Sequence, residues 1–457
     1  MFNFNLQEKN KYYNLYLGVR EEILRGRLKC GEKLPSKRAL ARELGVSVVT
    51  VQLAYEQLLI EGYIVAKERS GYFVEKVNVS PARPQIKAHS EKTERGKEFS
   101  VDVVKGSAPA ELFPFSTWAR LNRRVLADCG EHLLERVPCD GDVELKGAIS
   151  DYLYRSRGMD VDPRHVIIGA GAEYLYGVIV QLLGRDKVIA VENPGYGKIA
   201  AAYALNGAQI MPVSVIGTGI CCDEVKNSGV SAVHVSPSHQ FPTGAVMPVS
   251  ARSRLIAWAN AADGYVIEDD YDSEFRLTGK PLQSAYGLCP DRVIYINTFS
   301  KSLAPSMRMG YMVLPPALYD KFMRLFSESA NVVPLFEQKT LAAMIAEGYF
   351  ERHLSRLKNY YRGIRQTLLE KLAKIGDYCK IDDTGSGLHL VANFPSAPSD
   401  EYIKEAAARG GVKIKCLSDY LIAPREGVER SAVINYSGVT ERQLAALDFS
   451  AVFPEKQ

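Results

Sequence analysis

Between residues 76 and 100 the chain runs through a stretch rich in Pro, Ser, Lys and Glu and poor in large apolar side chains. Such a segment has too little apolar surface to offset the entropy of ordering it, so it reads as an exposed linker. That feature constrains everything else, because the sequence on either side must build its own core. A chain of 457 residues is in any case too long for one small core. The expected division is a small module over 1–76, a linker over 77–100 and a large module over 101–450. A linker of that length spans roughly some tens of ångströms, enough for the small module to dock on a neighbouring subunit.

The small module reads as three helices and a hairpin. Over 12–28, Leu15, Leu17, Val19, Ile23 and Leu24 recur at helical spacing with charges between them. Ser36 is an N-cap for a second helix over 38–44. Gly45-Val46-Ser47 makes a tight turn, and a third helix follows over 48–61. Short strands at 62–65 and 71–74 flank the polar tip Lys67-Glu68-Arg69-Ser70. Three helices with a tight turn before the third, then a hairpin, make a winged helix-turn-helix. Residues 1–76 hold 13 Lys and Arg against 9 Asp and Glu, an excess equal to the net charge of +4 on the whole chain. Such an excess suits a phosphate backbone, although a basic protein-interaction domain shows the same count.

Leu34-Pro35-Ser36-Lys37-Arg38, Leu40-Ala41, Gly45-Val46-Ser47, Gly62-Tyr63 and Gly71-Tyr72-Phe73-Val74, in that order, resemble the DNA-binding domain of GntR-type bacterial regulators. The resemblance implies DNA as a partner. Arg38 and Arg42 would contact the backbone, Ser47, Thr50 and Gln52 would read bases, and Lys67 and Arg69 would act from the wing. Members of that family usually carry an arginine directly after the turn serine, where this chain has Val48. An arginine there reaches a phosphate or a guanine edge. Valine has no donor, so an altered site preference is expected.

Beyond residue 160, apolar strands recur at 166–168, 188–191, 232–235, 265–267 and 293–296 with helical stretches between them. This alternation predicts an α/β architecture with a mostly parallel sheet covered on both faces. A long basic helix over 353–372 and strands at 388–392 and 432–436 form a smaller α+β part.

Chemistry gathers at the strand ends. Lys301 follows strand 293–296, with Thr298 and Ser300 just before it and Arg308 seven residues after. An amine held there forms a Schiff base with an aldehyde, and hydroxyls with a guanidinium bind a phosphate. A lone lysine in that place is most often solvated surface. Strand 265–267 runs into Glu268-Asp269-Asp270-Tyr271-Asp272. A carboxylate there pairs with a protonated pyridine nitrogen, although acid clusters also serve as metal ligands or solvated loops. No His or Cys adjoins this cluster along the chain, which ranks a metal low. Gly169-Ala170-Gly171-Ala172-Glu173 leads into a helix start, where backbone N–H groups form an anion site. Glu192-Asn193-Pro194-Gly195-Tyr196 presents an aromatic able to stack on a planar ring. Ser236-Pro237-Ser238-His239-Gln240-Phe241-Pro242-Thr243-Gly244 is the fifth motif.

In this order and spacing the five motifs resemble the fold-type I pyridoxal-phosphate enzymes, the aspartate aminotransferase group, over about residues 100–450. The resemblance implies pyridoxal 5'-phosphate as cofactor and a large domain with a small α+β C-terminal domain. Lys301 would form the internal aldimine and Asp269 would face the pyridine nitrogen. Tyr271 would hydrogen-bond the phenolic oxygen, and Tyr196 would stack on the ring. Ala172, Glu173, Thr298, Ser300 and Arg308 would surround the phosphate. Sites of this fold lie at a dimer interface, so a homodimer is expected, suited to an operator with two half-sites.

A GntR-type domain joined by a linker to an aminotransferase-like domain is the layout of the MocR-type regulators. It implies a DNA-binding transcriptional regulator that senses pyridoxal phosphate itself, or an amine or amino compound, through an aldimine. The alternative is a working aminotransferase with an accessory winged helix. Two departures favour the regulator. Phe241 stands where aminotransferases usually have an asparagine, and Val433 where a late strand usually presents the arginine that grips the substrate carboxylate. Arg430 falls on the other face by strand alternation and is no replacement. Lys198 occupies a second effector position that is arginine in relatives responsive to γ-aminobutyrate. No other side chain fully replaces a bidentate arginine–carboxylate fork. The effector is therefore expected not to be a simple amino acid held by its carboxylate.

Eight cysteines show no C-x-x-C pair and no metal spacing, which predicts reduced thiols. With no run of eighteen apolar residues and no apolar leader, the expected setting is cytoplasmic, away from membranes.

Overall fold

The computed structural model describes residues 10–77 and 99–449, apart from positions 105, 107, 280, 281 and 383. The expected linker falls almost wholly outside these residues. The chain divides into two compact units, Met1–Gly96 and Lys97–Gln457.

In the first unit, helices α1 (Lys11–Leu24), α2 (Lys37–Leu44) and α3 (Val48–Ile60) precede the hairpin strands β1 (Ile64–Lys67) and β2 (Gly71–Val74). The expected Ser36 cap forms, and Ser47 caps the next helix as well. The Ser36 hydroxyl accepts from the Ala39 N–H at 3.2 Å, and that of Ser47 from the Thr50 N–H at 3.1 Å. Gly45, at φ 65°, ends α2 in the left-handed conformation that a sharp turn into α3 requires. Helix α1 stops short of residue 28 because Gly26, at φ 72°, breaks it; Leu28 still packs into the core from the turn. Leu15, Val19, Leu40, Val51, Leu58 and Ile64 form the centre of that core. Lys67 belongs to β1 rather than to the wing tip, and Arg69 sits in the turn at φ 56°.

The second unit is built on an eight-stranded sheet. From one edge its order is Val166–Gly169, Gly310–Val313, Val293–Thr298, Tyr265–Asp269, Ala232–Val235, Val188–Asn193, Gln209–Ile216, Gly219–Ile220. Gly310–Val313 and Gly219–Ile220 run opposite to the other six strands. Burial on both faces explains why the parallel strands read as unbroken apolar runs. Alternate residues supply two cores: Ile167, Ile294 and Ile296 face one, Val166, Ile168 and Val293 the other. Gln209–Ile216 and Gly310–Val313 were not among the expected strands. The first has mixed burial near an edge, and the second follows directly on the lysine–arginine motif.

The long helix spans Tyr349–Ala373. After it, Lys380–Asp382, His389–Asn393, Ser431–Asn435 and Lys415–Cys416 form a four-stranded antiparallel sheet in that order. All eight cysteines are free thiols. No helix among the described residues is long and apolar enough to cross a membrane.

Candidate cofactor site and nucleic-acid interface

Strands Tyr265–Asp269 and Val293–Thr298 are parallel neighbours, with Asp269 opposite Ile296. Both therefore deliver their following residues to one end of the sheet, where ligands of open α/β folds bind. A cavity of about 530 Å³ opens there. Lys301, Asp269, Tyr271, Tyr196, Ala172, Glu173, Thr298, Ser300, Arg308 and Lys198 all line it. These residues come from distant parts of the sequence, and the fold brings every one of them to the same cavity.

Of the three consecutive acids, only Asp269 is left with an open oxygen. Glu268 accepts from the Ser284 hydroxyl and from the Ala285 and Tyr286 N–H groups. Asp270 accepts from the Ser238 and Tyr295 hydroxyls and pairs with the Arg157 guanidinium at 2.9 Å. Asp269 Oδ2 accepts from the Tyr176 hydroxyl at 2.5 Å and lies 3.5 Å from His234 Nε2, while its buried Oδ1 has no partner among the described residues. A buried acceptor left in that state is costly. A protonated pyridine nitrogen is the group that would satisfy it.

Burial pushes the Lys301 ammonium below its ordinary pKa, with the Asp272 carboxylate opposing the shift. Its Nζ donates to the Gly106 carbonyl. A neutral amine is the form that adds to an aldehyde. On the far side, helix Ala172–Leu183 starts after Gly171, at φ 90°. Arg308, itself at φ 46°, donates from Nη2 to the Ala170 carbonyl at 3.1 Å. A Cβ on Gly171 would stand 3.0 Å from that nitrogen. A helix start, two hydroxyls and a guanidinium thus line one cavity, a donor set that would suit a phosphate. The donor set, the open carboxylate oxygen and the buried amine together fit pyridoxal phosphate.

Several site groups had no signature in the sequence. Tyr176 belongs to an apolar helical pattern, and Tyr203 donates to or accepts from His234 Nδ1 at 2.9 Å from another helix. A histidine inside the apolar strand Ala232–Val235 was the one available signal. The absence of histidine beside the acid cluster holds only along the chain. In space, His239 Nδ1 lies 2.9 Å from Asp272 Oδ2, and the His239 and His389 ring centroids are 4.2 Å apart. One ligand atom from each of these three residues falls within 4.8 Å of the others. Burial and the neighbouring His239 and Lys301 hold the His389 imidazole well below its ordinary pKa. Tyr271 donates to the His239 carbonyl at 3.1 Å.

Val433 does not line the cavity. It packs with Val391, Leu417 and Val428 in a small apolar cluster against which Phe241, Tyr420 and Leu421 lie. Asn435, two residues on and so on the same strand face, does line the cavity. The Arg430 guanidinium is turned to the Pro395 carbonyl at 3.2 Å. Lys198 is exposed at the cavity rim.

In the first unit, Arg38, Arg42, Lys67 and Arg69 are exposed, as DNA-backbone contacts must be. The expected base readers are less free. Ser47 Oγ and Thr50 Oγ1 are 2.8 Å apart, and Gln52 Nε2 donates to Glu56 Oε1 at 2.8 Å.

The family description "Bacterial regulatory proteins, gntR family" matches residues 11–74, and "Aminotransferase class I and II" matches residues 107–444. The HTH-type transcriptional regulator YdeL of Bacillus subtilis is 36% identical over 95% of this chain and 94% of its own. The probable rhizopine catabolism regulatory protein MocR of Rhizobium meliloti is 34% identical over 94% and 90%. The chain belongs to the MocR-type transcriptional regulators. Another relative in this group is the pyridoxine biosynthesis transcriptional regulator PdxR of Corynebacterium glutamicum, 30% identical over 88% of this chain and 87% of its own. An archaeal alanine:glyoxylate aminotransferase superposes with a TM-score of 0.69 over 77% of this chain and 89% of its own, at 20% identity. That likeness fixes the regulator's large unit as the fold-type I aminotransferase fold.

Proposed function

We propose that the large unit senses pyridoxal phosphate and that occupancy of its cavity sets the DNA binding of the winged helix-turn-helix. When bound, pyridoxal phosphate supplies an aldehyde that condenses with a primary amine. Lys301 is the amine that retains it, Asp269 Oδ1 takes the ring nitrogen's proton as a hydrogen-bond partner, and Tyr196 covers the ring. Tyr271 serves the phenolic oxygen. Ala172, Glu173, Thr298, Ser300 and Arg308 hold the phosphate.

The observation that carries this reading is the apolar cluster joining Val433 to Phe241. At those two positions aminotransferases usually have the carboxylate-gripping arginine and a polar asparagine. Here both are hydrocarbon: Phe241 lines the cavity and Val433 lies in the cluster on which Phe241 packs, so neither offers a substrate carboxylate the partner that its burial requires. The name of the relative PdxR, tied to pyridoxine biosynthesis, supports the cofactor itself as the effector. An amine without a carboxylate is the other ligand the cavity accepts. By its resemblance to the fold-type I enzymes the protein would act as a homodimer on an operator with two half-sites.

Matched pairs test this: L-alanine against ethylamine, and L-phenylalanine against phenethylamine, each titrated by the cofactor's visible absorbance. Each amine should bind at least as tightly as its amino acid, and Val433→Arg should reverse the order. An amino acid that binds the native protein tenfold more tightly than its amine would overturn the reading.

A further inference from the structure

The recognition helix α3 presents an apolar leading edge. Val48 and Val49, its first two residues, are 44% and 63% exposed, and Leu53, one turn on, is 44% exposed. The polar side chains beside them are committed within the helix. Ser47 caps the Thr50 N–H and contacts its hydroxyl, and Gln52 donates to Glu56. The surface offered at the N-terminus of α3 is therefore hydrocarbon, and the preceding helix α2 carries the exposed cations Arg38 and Arg42.

In the helix-turn-helix arrangement those N-terminal residues meet base edges in the major groove. Only one base edge there offers a hydrocarbon group, the C5 methyl of thymine. We propose that Val48 and Val49 read thymine methyl groups, so that each half-site carries thymine where an arginine at position 48 would read guanine. Arg38 and Arg42 supply the charge complementarity that brings this apolar edge into the groove. The proposal rests on the DNA-binding reading and adds to it the base class that the protein selects.

The test uses the full-length protein and duplexes selected from a random library. Each thymine of the selected site is then replaced singly by deoxyuridine, which removes the methyl group and leaves every hydrogen-bonding atom in place. At one or two thymines per half-site the affinity should fall about fourfold, the factor expected for one methyl group taken out of contact. Val48→Ala should lose the sensitivity at one of these positions, and Val48→Arg should move the selected base there to guanine. The deoxyuridine series changes only the DNA, so folding of a variant does not enter it. Selected sites without thymine, or affinity indifferent to deoxyuridine at every position, overturn the proposal while leaving DNA binding intact. Failure to bind any duplex overturns both.

Discussion

Glu192 shows how far burial alone can set a residue's chemistry in this site. Its carboxyl lines the cavity, receives Gln240 Nε2 at 3.4 Å and leaves Oε1 without a partner among the described residues. Burial raises its pKa to about 8. The folded state thus holds a proton on Glu192 between the ordinary 4.5 and about 8 that the unfolded state releases. By linkage its contribution to stability falls as pH rises through that window and levels off above it. Glu192→Gln keeps the neutral form at every pH. Its stability relative to the native protein should rise between pH 5 and pH 8, on the order of a few kcal/mol, as read from melting curves at both pH values. A difference that does not change with pH would place an ionised Glu192 in the folded protein. Lys301 and Asp269 were legible because an amine and an acid at the ends of apolar strands are conspicuous. Glu192, Tyr176 and His234 were not, because their roles come from partners dozens of residues away.

At the scale of elements, the helix start at Gly171 carries the most chemistry for its length. Its φ of 90° and ψ of 176° lie in a region essentially confined to glycine. A Cβ there also presses on the Arg308 guanidinium. Gly171→Ala should therefore weaken cofactor binding roughly tenfold or more, through a strained turn and a displaced arginine, while the sheet survives. Unchanged cofactor affinity would remove Gly171 and Arg308 from the phosphate cradle. Elements with strong local signals were readable: the capped helices α2 and α3 and the doubly buried strands stood out by period and composition. Gly310–Val313 did not, since four residues beginning with glycine carry little pattern; their strand character comes from pairing on both sides with Val293–Thr298 and Val166–Gly169.

On the scale of the whole molecule, two units with separate cores must share one free-energy balance for a ligand in one to regulate the other. A ligand shifts DNA affinity only by as much as its own affinity differs between the two DNA-binding states. The gross division was legible because the intervening composition cannot build a core. The coupling was not, because it depends on the pose of one unit against the other and leaves no local pattern. The decisive measurement is DNA affinity of the full-length protein, first stripped of pyridoxal phosphate and then with it restored. The account predicts a change of about five- to 150-fold between the two states, the range of an ordinary allosteric coupling. The same affinity in both states contradicts it.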